Sequence, residues 1–132
     1  MTTVDLESMF QALSDRTRLR LLNLISGGDL CVCYFVEILG EPQPKVSRHL
    51  AYLRRIGLVS ARREGKWMHY RINRPSDPRL ATVLDAALAA AESDRQLQRD
   101  RSSLERACCA VRLPEPLQKA PRPLTRPSAT SS

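Results

Sequence analysis

Apolar residues recur at helical spacing from the start of the chain. Leu6, Met9, Phe10 and Leu13 predict one short helix, and Leu19, Leu22 and Ile25 predict a second, with Ser14 and Asp15 as the cap between them. Gly27 and Gly28 break the pattern, Asp29 can cap again, and Leu30 to Leu39 predicts a third helix with Val32, Phe35, Val36 and Leu39 facing inward, ended by Gly40. Pro42 and Pro44 form a rigid connection into a fourth helix. A proline in the first turn is tolerated because the N–H it lacks would have had no helical partner there. Val46, Leu50 and Leu53 make the buried stripe of this helix, leaving Lys45, Ser47, Arg48 and Tyr52 on other faces until Gly57 closes it.

The period then changes. Leu58 to Arg63 and Lys66 to Ile72 alternate and are rich in valine, tryptophan, tyrosine and isoleucine, with Glu64 and Gly65 as a tight turn, which predicts a two-stranded hairpin with a basic tip. From about Asp77 a long helix follows, carrying Leu80, Leu84, Ala87, Leu88 and Ala91 as an apolar stripe that would be exposed on a lone chain. Beyond Glu92 it turns strongly polar and is expected to fray near Cys109. Five of the nine prolines fall at 114, 116, 121, 123 and 127, so a disordered tail is expected from about residue 113. The expected organisation is a domain over 1–92, a polar helical extension over 93–112 and a Pro-rich tail over 113–132. The fold class is mainly α with a small β-hairpin wing.

A chain of 132 residues supports one modest core and excludes a large multi-domain enzyme. Lysine and arginine number 21 against 14 acidic residues, a net charge of +7, which points to a polyanionic partner. Seven of the basic residues, Lys45, Arg48, Arg54, Arg55, Arg62, Arg63 and Lys66, stand between Glu41 and Lys66 against two glutamates, a local balance of +5. Glycine-rich phosphate loops are absent, and two histidines leave little for histidine-based catalysis. The first residues have neither a basic start nor an apolar run, and no stretch approaches the roughly 18 apolar residues of a membrane span. A cytoplasmic protein with reduced thiols and no membrane partner is expected.

Short helix, proline-bearing turn, basic second helix and basic hairpin, in that order, resemble a winged helix-turn-helix. In that geometry the start of the fourth helix enters the major groove of double-stranded DNA, where Gln43, Lys45, Ser47 and Arg48 reach base edges, while Arg62, Arg63 and Lys66 on the hairpin grip phosphate. His49 either touches DNA or serves the packing of its helix. His69, on a strand face with Trp67 and Arg71, either packs the hairpin or meets a phosphate. Taken alone the charge run also fits an ordinary solvated helix face.

The four cysteines form two close pairs, Cys31 with Cys33 and Cys108 with Cys109. At the start of the third helix, the helix dipole and unpaired N–H groups are expected to lower the thiol pKa. Residues two apart in an ideal helix point about 200° away from each other, so Cys31 and Cys33 can share one ion only if the helix start unwinds. Such capture would deform the helix that supports the DNA reader. A phosphatase-like thiol reductase would need an arginine six positions after its cysteine; Glu37 and Leu39 stand there. The chain is not read as an enzyme. A plain architectural DNA-binding module would tolerate loss of all four cysteines.

The segments ALSDRTRLRLLNLI, DLCVCYFVEIL and QPKVSRHLAYLRRIGLVSARREGKWMHYRI resemble the ArsR/SmtB group of metalloregulatory repressors over about residues 5 to 92, and CVC after an acidic residue is similar to its arsenite-responsive members. The resemblance implies a homodimer built from the first and last helices, bound to operator DNA until an inducer arrives, with no permanent cofactor. It also implies trivalent arsenic as the metalloid inducer, held by cysteine thiolates. Arsenite repressors of the nearest kind carry CxCxxC, whereas Val36 occupies the third position here. A third sulfur would then come from Cys108 or Cys109, of the same chain or its partner, or the inducer needs only two thiols, as methylarsenite would. Cys108 and Cys109 could also form a site of their own. Cadmium, lead, antimony or zinc sensing and a thiol redox switch are the alternatives. The last helix has no histidine, leaving Asp85 as the remnant of the zinc site found in other members.

Overall fold

The computed structural model describes the backbone of residues 4–109 and the side chains of residues 4–107; the expected tail lies outside the described residues. The element order is α1 (Leu6–Leu13), α2 (Arg16–Ile25), β1 (Leu30–Cys31), α3 (Val32–Leu39), α4 (Gln43–Arg55), β2 (Val59–Glu64), β3 (Trp67–Ile72), α5 (Pro78–Ala90), a single 3-10 turn (Ala91–Ser93) and α6 (Arg95–Cys109).

Aspartates start four of these helices. The carboxylates of Asp5, Asp15, Asp77 and Asp94 accept from the backbone N–H groups of Ser8, Arg18, Arg79 and Leu97 at 2.8, 3.0, 2.9 and 3.1 Å. Helix α3 ends on Gly40 in the left-handed region at φ 68°, which a side chain would strain. Pro42 is the N-cap of α4 and Pro44 lies in its first turn, as the sequence predicts.

One apolar core joins the elements. Met9, Leu21, Leu22, Tyr34, Phe35, Val46, Leu50, Leu53, Leu58 and Leu84 are fully buried within it, and Leu104 and Ala107 of α6 close it from the far side. The expected stripe is covered in part: Leu84 on α5 and Ala91 just beyond it are buried, whereas Leu80, Ala87 and Leu88 are half-buried. Leu6 and Phe10 of α1 remain more than half exposed.

Three expectations are corrected. The long helix is broken: the 3-10 turn and extended Asp94 redirect the chain, so α6 doubles back onto α2 and α3. The hairpin is one part of a three-stranded antiparallel sheet of order β1-β3-β2. The third helix begins at Val32 and not at Leu30, because Leu30 and Cys31 pair with Tyr70 and His69 of β3.

Candidate nucleic-acid and thiol sites

Helix α4 stands on the core through Val46, Leu50 and Leu53, which turns the remaining faces outward. Gln43, Ser47 and Arg48 are exposed near its start. Lys45 is half-buried, its Nζ 3.1 Å from Glu41 Oε1. His49 turns toward α2, with its Nδ1 3.5 Å from Arg18 and 4.0 Å from Asp15 Oδ2. Burial, followed by the positive charges of Arg18, Lys45 and Arg48, lowers its pKa against the pull of Asp15. Of the two readings open for His49, the packing role has the contacts.

Sequence reasoning missed the group that fastens α4 to α2. The Arg18 guanidinium lies 4.4 Å from the Tyr52 ring centroid and donates to the carbonyls of Ala12 and Gln11, while Arg55 covers the same ring at 5.2 Å. Nothing in periodicity marks such a pair, since the partners lie on different helices.

In the wing, β2 and β3 pair from Val59 with Ile72 to Glu64 with Trp67, leaving Gly65 at φ 60° in the turn, where glycine is favoured. Arg62, Arg63 and Lys66 are exposed around this tip. Lys66 Nζ lies 5.4 Å from the Trp67 ring centroid. Arg62 is engaged within the protein: NH2 is 3.5 Å from Asp29 Oδ2 and NH1 is 3.6 Å from Glu64 Oε1. His69 is 5% exposed, with Nε2 2.9 Å from the same Glu64 oxygen. Its ring serves the hairpin's packing.

The thiol pair differs from the expectation of two residues on one ideal helix. Cys31 is the N-cap of α3, extended at φ −75° and ψ 148°, so the unwinding that a shared ion requires already exists. Cys33, in the first turn, lies within hydrogen-bonding reach of the Cys31 thiol. The expected lowering of thiol pKa is overturned for Cys31. Burial pushes it up to about 11; backbone N–H groups of Cys33 and Val32 oppose this, the Cys33 thiol adds to it, and burial prevails.

Two adjacent soft donors fit a thiophilic ligand in type, but among the described residues no third His, Cys, Asp or Glu joins them. The side chains of Cys108 and Cys109 lie outside the described residues, although α6 carries both at its end. Asp85 is taken by a two-pronged pair with Arg74, at 2.7 and 2.9 Å. Among the described residues no helix is long and apolar enough to cross a membrane.

A family model described as "Bacterial regulatory protein, arsR family" matches residues 15–61, which run from the cap of α2 through the start of the wing. The arsenical resistance operon repressor of Escherichia coli K12 is 45% identical over 80 residues, covering 60% of this chain and 68% of that protein. The arsenic resistance transcriptional regulator ArsR2 of Pseudomonas putida KT2440 is 50% identical over 66 residues, 49% of this chain and 57% of the relative, under two thirds of its length. Among solved structures, the AntR antimony-specific transcriptional repressor superposes with a TM-score of 0.52 at 35% identity, covering 67% of this chain and 78% of that one. With its winged-helix fold and these matches, the chain belongs to the arsR family of bacterial regulatory proteins, DNA-binding transcriptional regulators and not enzymes.

Proposed function

We propose that this protein is a repressor that binds operator DNA as a homodimer and leaves it when trivalent arsenic, as arsenite or methylarsenite, bonds to Cys31 and Cys33. Gln43, Lys45, Ser47 and Arg48 are the base readers, His49 supports their helix, and Arg62, Arg63 and Lys66 hold phosphate. The observation that carries the reading is the convergence of two thiols at the start of α3, one helix before the reader. The names of the arsenical resistance relatives agree with it. Each S–As bond forms as the thiol proton leaves with an arsenic hydroxyl as water, so arsenic stays trivalent. Arsenite takes its third sulfur from Cys108 or Cys109; methylarsenite is satisfied by the two thiols. The half-exposed apolar residues Leu6 and Phe10 of α1, with Leu80 and Leu88 of α5, supply the surface for the second copy. No permanent cofactor is required, and the cytoplasm is the place where these thiols stay reduced.

The test is fluorescence anisotropy on a duplex that the protein selects from a random-sequence pool. Arsenite and methylarsenite are titrated into the complex of wild type, Cys31→Ala, Cys33→Ser and the double variant Cys108→Ser/Cys109→Ser. The expected result is release from wild type and retention by the Cys31 and Cys33 variants. Response to methylarsenite alone in the double variant assigns the third sulfur to α6. Release of all variants alike would overturn the reading.

A further inference from the structure

We propose that Asp29 is a positioning residue for DNA release: it ties the wing arginine Arg62 to the thiol-bearing strand, so that metalloid capture by Cys31 and Cys33 withdraws the wing as well as disturbing the reader helix. This rests on the function proposed above and adds the route by which the site acts on DNA.

The route is a single rung across the sheet. Cys31 on β1 lies directly opposite His69 on β3, and His69 lies directly opposite Arg62 on β2. Polar contacts close the rung on both sides. Asp29, two residues before Cys31, holds Arg62 NH2 at 3.5 Å, and Glu64 Oε1 meets both Arg62 NH1 at 3.6 Å and His69 Nε2 at 2.9 Å. The thiol strand and the wing arginine are thus joined through the strand ladder and through one carboxylate.

The thiol has little freedom to move without its backbone. Cys31 is 1% exposed and packed in the same core as Leu30, Tyr34 and Phe35, where neighbours leave no slack for a sulfur to swing alone. Cys31 and Cys33 already lie within reach of each other, but an arsenic atom bonded to both adds volume where Cys31 is closed off by the core, so seating it displaces the short strand β1, and Asp29 moves with it. An exposed ion pair of this length contributes little to stability, so the consequence of the Asp29 contact is where Arg62 points. A guanidinium drawn from its phosphate removes one counterion-releasing contact from the complex.

The test compares wild type, Asp29→Asn, Arg62→Gln and the combined variant, with arsenite as the probe. Uptake is followed by near-ultraviolet absorbance of the As–S bonds, and DNA binding by anisotropy over a range of salt. In wild type, arsenite is expected to weaken DNA binding within the roughly 5–150-fold range usual for coupled sites, and to lower the salt slope of the residual binding by about one. Asp29→Asn should take up arsenite as wild type does and bind DNA without it about as well. Its arsenite response should shrink by roughly fivefold and its salt slope should not change on arsenite addition. Arg62→Gln should show the same smaller response, and the combined variant no further loss. A wild-type response and slope change in Asp29→Asn, or effects of the two substitutions that add, would overturn the role of Asp29 while leaving the thiol sensor standing. Arsenite uptake by wild type without any loss of DNA binding would overturn the sensor reading and this route together.

Discussion

Arg20 of α2 and Asp100 of α6 form a two-pronged ion pair, Nε to Oδ2 at 2.8 Å and NH2 to Oδ1 at 3.0 Å, with side chains only 11% and 6% exposed. Around it Asn23 Nδ2 donates to the Leu97 carbonyl, and Arg101 donates to the Asn23 carbonyl and to Ser26 Oγ. This polar seam, with Leu97, Leu104 and Ala107 beside it, fastens α6 to the elements that carry the thiols and the reader. Removing one partner leaves the other charge buried and unpaired. Asp100→Ala is therefore expected to destabilise the fold by about 3 kcal/mol, measured by urea unfolding followed by circular dichroism. Replacing both, as Arg20→Met/Asp100→Leu, should recover most of that loss, since the pair's net worth against an apolar pair is small. Equal losses in the single and double variants would show that the seam acts through packing alone.

The same seam explains what the sequence hid. Helices α1 to α4 and the hairpin were legible because Leu50 and Leu53, Gly40, Pro44 and Gly65 are local signals: periodicity, a left-handed cap, a first-turn proline and a turn glycine. Asp100, the partner of Arg20, and Asp29, which holds one end of Arg62, stand far away in sequence, and charge composition alone does not pair them. Periodicity puts Cys31 on a helix because a strand of two residues has no period, and its pairing with His69 is set by tertiary contact. The break before α6 did leave a signal, Asp94 as a helix cap, masked by the alanines that continue the pattern of α5.

The aspartate caps predict acid sensitivity. The pKa of Asp5, Asp77 and Asp94 is lowered below the ordinary 3.8 first by the backbone N–H each accepts, and that of Asp15 by the Arg18 N–H and charge, which outweigh its burial. A carboxylate whose folded pKa is depressed contributes stability that is complete above its unfolded value and fades as pH falls through the folded one. Unfolding by urea should therefore need markedly less denaturant as pH drops below 3.8. At neutral pH Asp15→Ala should cost about 1 kcal/mol, whereas Asp15→Asn, which still caps, should cost a few tenths and lose part of the acid sensitivity. Matching acid profiles for Asp15→Asn and wild type would remove Asp15 from this account.

The reader and the wing should differ in kind when disabled. Arg48 is exposed near the start of α4 and Arg63 on β2; on the function proposed above, Arg48 meets a base edge and Arg63 a phosphate. Arg48→Ala is expected to lose about 1–3 kcal/mol on the preferred duplex and little on duplexes altered at the contacted base pair. Arg63→Ala should weaken all duplexes alike and reduce the magnitude of the salt slope by about one. Anisotropy on a set of single-base variants over several salt concentrations separates the two behaviours, and a sequence-independent loss for Arg48→Ala would move it to the phosphate class.

The high pKa of Cys31 gives a way to tell the proposed metalloid ligand from a divalent cation by pH. With its thiol pushed up to about 11, Cys31 is protonated throughout the neutral range. A divalent cation such as cadmium must displace that proton into solution, so its affinity should rise by about tenfold per pH unit for this group alone between pH 6 and 8. Arsenous acid binds differently: the thiol proton leaves with an arsenic hydroxyl as water, no net proton is released, and affinity through Cys31 should be nearly flat over the same range. Competition titrations with a chromophoric thiol ligand at several pH values read both slopes. Cys33→Ser removes the second sulfur and should weaken both ligands while leaving the cadmium slope from Cys31 in place. An arsenite affinity that climbed with pH as steeply as cadmium's would mean that binding releases a proton to solution, and that the Cys31 thiol proton does not leave with an arsenic hydroxyl as water.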